Sequence, residues 1–197
     1  MNNEVIRSFI AVELPKEIKN ELKRVQDILN RGNPAWLRWV NPDSIHLTLK
    51  FLGDISSDKV EEITMAITDA SNKISPFSLK IEGLGVFPNL RRVQVVWVGL
   101  GGGIAQLNKL QKQVEANIAI LGYPEESRDF TPHLTLARVR NQPSPSELQK
   151  FTQLLTMTKF ASTHEIEVKA VKLMRSQLTP HGAVYSQLSS VPLKLIS

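Results

Sequence analysis

The sequence predicts an α+β protein of two similar lobes, with two antiparallel sheets related by an approximate two-fold axis, helices outside and a cleft between the lobes. Three observations carry this reading. Strand-like runs alternate with amphipathic stretches of helical spacing, the four residues His-Leu-Thr-Leu recur at 46–49 and 133–136, and no Pro/Gly/Ser-rich linker divides the chain. A chain of 197 residues is long enough to bury a core, and it is read as one bilobal domain over 1–197.

Residues 7–14 (RSFIAVEL) read as a buried strand. Pro15 suits the first turn of a helix, where its missing N–H costs nothing, and Ile18, Leu22, Val25 and Leu29 follow at helical spacing until Gly32 stops them. A short strand is expected over 36–40, then a turn at 41–43. A second strand spans 45–52 and is closed by Gly53-Asp54. The next helix begins near Ser56 or Ser57, with Val60, Ile63, Ile67, Ala70 and Ile74 on one face. Strands follow over 77–87 and 93–100, separated by Pro88-Asn89.

Gly101 to Gly103 opens a third helix carrying Leu107, Leu110, Val114, Ile118 and Leu121. Residues 130–139 return to strand, and Ser144-Pro145-Ser146-Glu147 is a capping-box signature for a fourth helix. The last third is mostly strand. Ile166, Val168 and Ala170 share one parity while Val171, Leu173 and Arg175 share the other, which predicts a bulge or bend near Ala170. Residues 183–188 close the sheet.

Composition narrows the chemistry. Hydrophobic residues make up 42% and charged residues 22%, as in ordinary globular proteins rather than disordered chains. The formal charge of +5 favours a polyanionic partner. There is no cysteine, so disulfides, thiolate nucleophiles and cysteine-ligated zinc are excluded. The apolar run at 9–12 is too short for a signal peptide, and nowhere do about 18 apolar residues run together. A cytoplasmic, soluble monomer without a membrane span is therefore expected.

The repeated motif carries the chemistry. Alternate side chains of a strand share a face, so His46 and Thr48 point one way while Leu47, Leu49 and Phe51 point into the core. His133 and Thr135 repeat this against Leu134 and Leu136. An imidazole titrates near neutrality, so one ring can accept a proton while another donates one. Two such rings flanking a phosphorus can activate the incoming oxygen and protonate the leaving oxygen, with no cofactor or metal. The threonine hydroxyls can hydrogen-bond the non-bridging oxygens. A lone His-x-Thr is usually only a polar strand face; two identical copies, one in each half, favour catalysis. Only His164 and His181 remain as further histidines, no carboxylate sits beside either motif, and zinc or two-metal spacings are missing. No Gly-x-Ser-x-Gly elbow is present.

These residues resemble the 2H phosphoesterase superfamily, named for its paired His-x-Thr/Ser-x motifs, and within it the RNA 2′,3′-cyclic phosphodiesterases, also called 2′-5′ RNA ligases. The resemblance runs from Arg7-Ser8-Phe9-Ile10-Ala11 through Arg38-Trp39-Val40, His46 to Asp54 and Gly85-Val86-Phe87-Pro88. It continues through Arg92-Val93, Trp97-Val98-Gly99 and the segment from Phe130 to Val139. It implies a bilobal fold with a basic cleft and hydrolysis of a terminal 2′,3′-cyclic phosphate to a 2′-phosphomonoester, with RNA ends or a small cyclic nucleotide as substrate. By position, His46 is implied as proton donor and His133 as proton acceptor. The same groups could join a cyclic end to a 5′-hydroxyl. Arg138 matches the family's arginine five residues after the second histidine, although strict alternation puts it on the face of Leu134; it serves only if the strand bends. Phe9 is a candidate for stacking on a base, or else a core residue. Gly182-Ala183-Val184-Tyr185 echoes a family turn and makes Tyr185 a candidate contact, with His181 beside it.

Other features are weaker. Gly101-Gly102-Gly103 lacks the Lys-Ser/Thr of a phosphate loop, and Gly83-x-Gly85 lacks the third glycine of a dinucleotide fingerprint. Arg91-Arg92 reads as an exposed basic turn. Two alternatives to the RNA-end enzyme stand: a phosphodiesterase for a small nucleotide, such as a 2′,5′-oligonucleotide or a cyclic ADP-ribose phosphate, and a non-catalytic RNA-binding module.

Overall fold

Period-two and period-3.6 burial resolve into nine strands and four helices among the residues described by the computed structural model, 4–179 and 182–194. In chain order these are β1 (Val5–Glu13), α1 (Lys16–Leu29), β2 (Leu37–Trp39), β3 (His46–Ser56), α2 (Val60–Ser71), β4 (Phe77–Asn89), β5 (Arg92–Gly102) and α3 (Ile104–Ile120). Then follow β6 (His133–Val139), α4 (Pro145–Met157), β7 (Ala161–Val168), β8 (Ala170–Thr179) and β9 (Gly182–Pro192). The strands form two antiparallel sheets, ordered β3-β1-β8-β9 and β2-β6-β5-β4-β7. The two motif strands, β3 and β6, hold equivalent places, and the short β2 is added outside β6 in the second sheet alone.

Each sheet must cover its apolar face, and the helices do so in a crossed pattern. Helices α2 and α3 pack on each other and against the first sheet, while α1 and α4 lie on the second. The lobes are therefore not the two halves of the chain: α1 and β2 come from the N-terminal half yet belong to the lobe of β6. Leu47, Leu49, Leu134 and Leu136 are buried as expected, within one apolar cluster shared by both lobes.

Local details differ from expectation for identifiable reasons. Pro15 caps α1 rather than starting it, and the residue with a left-handed conformation after the helix is Asn33 (φ 43°), not Gly32. Strand β3 runs past Gly53 to Ser56 because Val5 pairs there, which delays α2 to Val60. The capping box of α4 forms as expected: the Glu147 N–H donates to Ser144 Oγ and the Ser144 N–H to Glu147 Oε2, at 3.4 and 2.8 Å. The parity change near Ala170 is larger than a bulge. Strand β7 pairs with β4 in one sheet and β8 with β1 in the other, so the chain crosses between lobes at Lys169.

Candidate active site

Strands β3 and β6 repeat each other residue for residue: half-buried His, buried Leu, half-buried Thr, buried Leu, buried fifth residue, exposed sixth. Two consecutive buried residues break simple alternation, and the pairing shows why. Ile10 and Ala11 oppose Lys50 and Thr48, while Val96 and Trp97 oppose Ala137 and Thr135, so Leu49 and Leu136 are the extra residues of two matching bulges. Each bulge resets the phase, and the sixth residue returns to the face of the histidine. That residue is Arg138 in one copy and Phe51 in the other, so Phe51, which strict alternation sends into the core, is instead 69% exposed because of the bulge at Leu49. The bend required for Arg138 to reach the cleft is thus present.

The second bulge has its own support. The carbonyl of Leu136 accepts from the Val40 N–H at 2.9 Å and from Gln26 Nε2 at 3.0 Å, and Gln26 also donates to the Val40 carbonyl at 2.7 Å. Gln26 is only 4% exposed, so its amide is committed to this joint. In the first copy the fifth residue is Lys50, 5% exposed, whose ammonium pairs with Glu115 of α3 and donates to the Pro124 carbonyl at 2.8 Å. This ties the segment between α3 and β6 to the strand of His46.

Both imidazoles are oriented by one backbone device. His46 Nδ1 lies 2.9 Å from the Ser44 carbonyl, and His133 Nδ1 lies 2.7 Å from that of Thr131. A carbonyl can only accept, so Nδ1 carries the proton in each neutral ring and Nε2 keeps its lone pair. Aromatic rings fix the planes. Phe9 stacks on His46 at 4.4 Å between centroids, and Tyr185 meets it edge-on at 5.0 Å. Phe87 meets His133 edge-on at 4.9 Å, with Trp97 at 6.5 Å. The Trp97 ring lies so close over Gly85 that a Cβ there would come within 2.2 Å of it, which gives the glycine of the Gly85-Val86-Phe87-Pro88 segment a physical reason.

The electrostatics favour an anion. Burial lowers the pKa of His46, with Lys19 and Arg138 adding to the effect and the Ser44 carbonyl opposing it. Burial likewise lowers that of His133, against the Thr131 carbonyl and with Arg138. Arg138 therefore acts on both rings, and β3 and β6 approach within 8 Å between Cα atoms where the lobes meet. The Tyr185 phenol is pushed up by burial and drawn back by Arg138 and Arg7, so it remains a donor at neutral pH. Neither the Thr48 nor the Thr135 hydroxyl has a hydrogen-bond partner among the described residues.

Placement of the remaining candidates is as follows. Phe9 is 3% exposed and its ring is covered by His46, so it backs the imidazole and offers no open face for a base. His164 binds Glu21 of α1 through Nδ1 at 2.7 Å and ties that helix to β7. His181 lies outside the described residues. Among the described residues, no three His, Cys, Asp or Glu side chains converge to hold a metal ion, and no helix is long and apolar enough to cross a membrane. Phe51, Phe87, Trp97, Gln26 and Lys19 were not read from the sequence as site residues. Phe51 could have been found by laying the two motif copies over each other; Gln26 carried no signal.

The sequence matches the model of the LigT-like phosphoesterase family twice, over residues 12–97 and 100–185. An RNA 2′,3′-cyclic phosphodiesterase of Methanothermobacter thermautotrophicus is 33% identical over 183 residues, covering 93% of this chain and 96% of that protein. One of Aquifex aeolicus is 32% identical over 93% of this chain and 95% of its own length. Among solved structures, the protein TT0787 of Thermus thermophilus superposes with a TM-score of 0.78 at 26% identity, covering 95% of this chain and 97% of the other. Escherichia coli LigT complexed with 3′-AMP shares the fold, at a TM-score of 0.78 and 24% identity over 98% of this chain and 100% of that one.

Proposed function

The chain belongs to the LigT-like phosphoesterase family of the 2H superfamily, and from that premise we propose that it hydrolyses terminal 2′,3′-cyclic phosphates of RNA by two-histidine acid–base catalysis. The observation that carries this reading is the matched pair of imidazoles, each pinned through Nδ1 to the carbonyl two residues back.

His133 Nε2 takes the proton of a water that attacks phosphorus, and His46 Nε2 gives a proton to O3′ as the P–O3′ bond breaks. The product is a 2′-phosphomonoester. Thr48 and Thr135 donate to the non-bridging oxygens, whose charge rises in the transition state. Arg138 balances the phosphate charge, and Tyr185 and Phe9 keep His46 in place. Phe51, exposed on the cleft side of the first sheet, offers its face to the terminal base. A 5′-hydroxyl in place of water forms a 2′-5′ bond by the same proton transfers. The electrostatics suit this division of labour. In the free protein both rings favour the neutral form, and the arriving phosphodiester anion supports a proton on His46.

The test is turnover of a nucleoside 2′,3′-cyclic phosphate in excess EDTA. Activity is expected to survive chelation, and His46→Ala and His133→Ala should each lower kcat by about 10²–10⁴-fold. Full activity in either variant contradicts the reading.

A further inference from the structure

Three residues form a row across the middle of the second sheet: Glu82 of β4 pairs with Gly99 of β5, and Gly99 pairs with His133 of β6. Directly paired residues share a face. Glu82 and His133 therefore stand together on the cleft side, while Ile81, Val98 and Leu134 are buried on the helix side. The middle place carries no side chain, so two strand spacings, roughly 10 Å, separate the main chains of Glu82 and His133 with only backbone between them. The Glu82 side chain leans over Gly101, where a Cβ would stand 2.2 Å from its Oε1. A Cβ on Gly99 would come within 2.8 Å of the Glu82 carbonyl and 3.4 Å of the Trp97 ring. Both positions thus require glycine, and the backbone at Gly99 becomes a floor bounded by His133, Trp97 and the Glu82 carboxylate.

The carboxylate is placed by a bulge of its own. Gly83, at φ 75°, is the extra residue of β4 against β5, and its N–H donates to the Phe160 carbonyl at 2.9 Å. Lys80, two residues back on the same face, lies 3.8 Å from Glu165 and is engaged there. Glu82 is exposed and has no ion-pair or hydrogen-bond partner among the described residues. A carboxylate repels a phosphate, so the group it meets in this cleft must be neutral and must donate hydrogen bonds. A guanine edge offers N1–H and N2–H side by side, matching the two oxygens of one carboxylate. Adenine and cytosine offer only an exocyclic amine, and uracil only N3–H.

We propose that Gly99 and Glu82 form a base subsite for the nucleoside that brings a 5′-hydroxyl to the phosphorus, and that Glu82 selects guanine there. This rests on the cyclic phosphodiesterase reading, with His133 serving the incoming oxygen, and it names the acceptor that the site prefers. In the joining direction O5′ bonds to phosphorus and gives its proton to His133. The P–O3′ bond breaks and O3′ takes a proton from His46, which leaves a 2′-5′ phosphodiester. In cleavage the 3′-hydroxyl gives its proton to His46 and attacks phosphorus, while O5′ leaves with the proton of His133. The base lies on the glycine floor in both directions, on the side of His133 away from the terminal ribose.

The experiment measures cleavage of four 2′,5′-linked dinucleotides in metal-free buffer, each with uridine on the 2′ side and guanosine, inosine, adenosine or cytidine on the 5′ side. Uridine 2′,3′-cyclic phosphate, which has no 5′-linked nucleoside, is the control. Wild-type protein should favour guanosine over adenosine and cytidine by about tenfold or more in kcat/KM, mostly through KM. Inosine, which lacks N2–H, should fall between. Glu82→Gln should bring the four dinucleotides within about threefold of one another and leave hydrolysis of the cyclic phosphate within about twofold of wild type. Hydrolysis of the cyclic phosphate without cleavage of any dinucleotide, or with equal cleavage of all four, overturns the subsite and leaves the cyclic phosphodiesterase reading intact. So does a Glu82→Gln variant that keeps the guanine preference or loses activity equally on every substrate. Turnover of none of the five by wild-type protein overturns both.

Discussion

Two rings at the first histidine have opposite exposures and carry opposite consequences. Phe9 is 3% exposed beneath His46, and Phe51, across the strand pair from it, is 69% exposed. Phe51→Ala removes no buried contact of consequence, so it should leave thermal stability within about 0.5 kcal/mol of wild type. If a base stacks there, the same change raises KM by about five- to 100-fold, since such stacking contributes about 1–3 kcal/mol. Phe9→Ala removes a core ring and should cost about 3–5 kcal/mol of stability. Phe9→Leu keeps most of the volume and isolates the loss of imidazole support, which is expected in kcat. Steady-state kinetics and thermal unfolding on the three variants check this, and a Phe51→Ala protein with unaltered KM removes the base from that face.

At the scale of the element, the bulges decide which side chains reach the cleft. Alternation along His-Leu-Thr-Leu is legible from sequence and places His46, Thr48, His133 and Thr135 correctly on one face. The phase reset after Leu136 is not legible, because a helix residue 110 positions away holds it: Gln26, whose amide bridges β2 and β6. For the same reason the site of Phe51 and Arg138 follows from comparing the two motif copies, not from either alone. The crossing at Lys169 left a trace in the parity of the residues around it, but periodicity does not say whether a strand bends or changes sheet. Gln26→Leu tests the bulge. It strips the Val40 carbonyl of its side-chain donor while the Leu136 carbonyl keeps the Val40 N–H, so about 1–3 kcal/mol of stability should be lost. KM should rise as Arg138 loses its aim. Wild-type stability in denaturant together with an unchanged KM would show that the bulge stands without Gln26.

The whole molecule is a duplicated frame whose halves interleave, so that α1 and β2 from the N-terminal half complete the lobe of the C-terminal histidine. Neither lobe has its own stretch of chain, and the apolar cluster runs through both. The fold class and the pairing of the two motifs were readable from the repeat; the crossed helices were not, because apolar periodicity identifies a buried face without naming what covers it. The consequence is that one frame sets the distance between the two imidazoles and places Arg138 where it acts on both. Both imidazoles have pKa values below the ordinary histidine value, so they contribute stability that is present above about pH 6.5 and lost as pH falls through their folded values. A phosphate bound between them reverses that trend by favouring the protonated rings, and binding should take up protons near neutral pH.

The most direct measurement is an NMR titration of the four histidines with and without a nucleoside 2′-phosphate, the product of the proposed reaction. In the free protein the resonances of His46 and His133 should titrate below the ordinary value near 6.5. With ligand bound, both should titrate higher and respond together. A response confined to one of the two rings, or to neither, would contradict an active site in which a single phosphate lies between them.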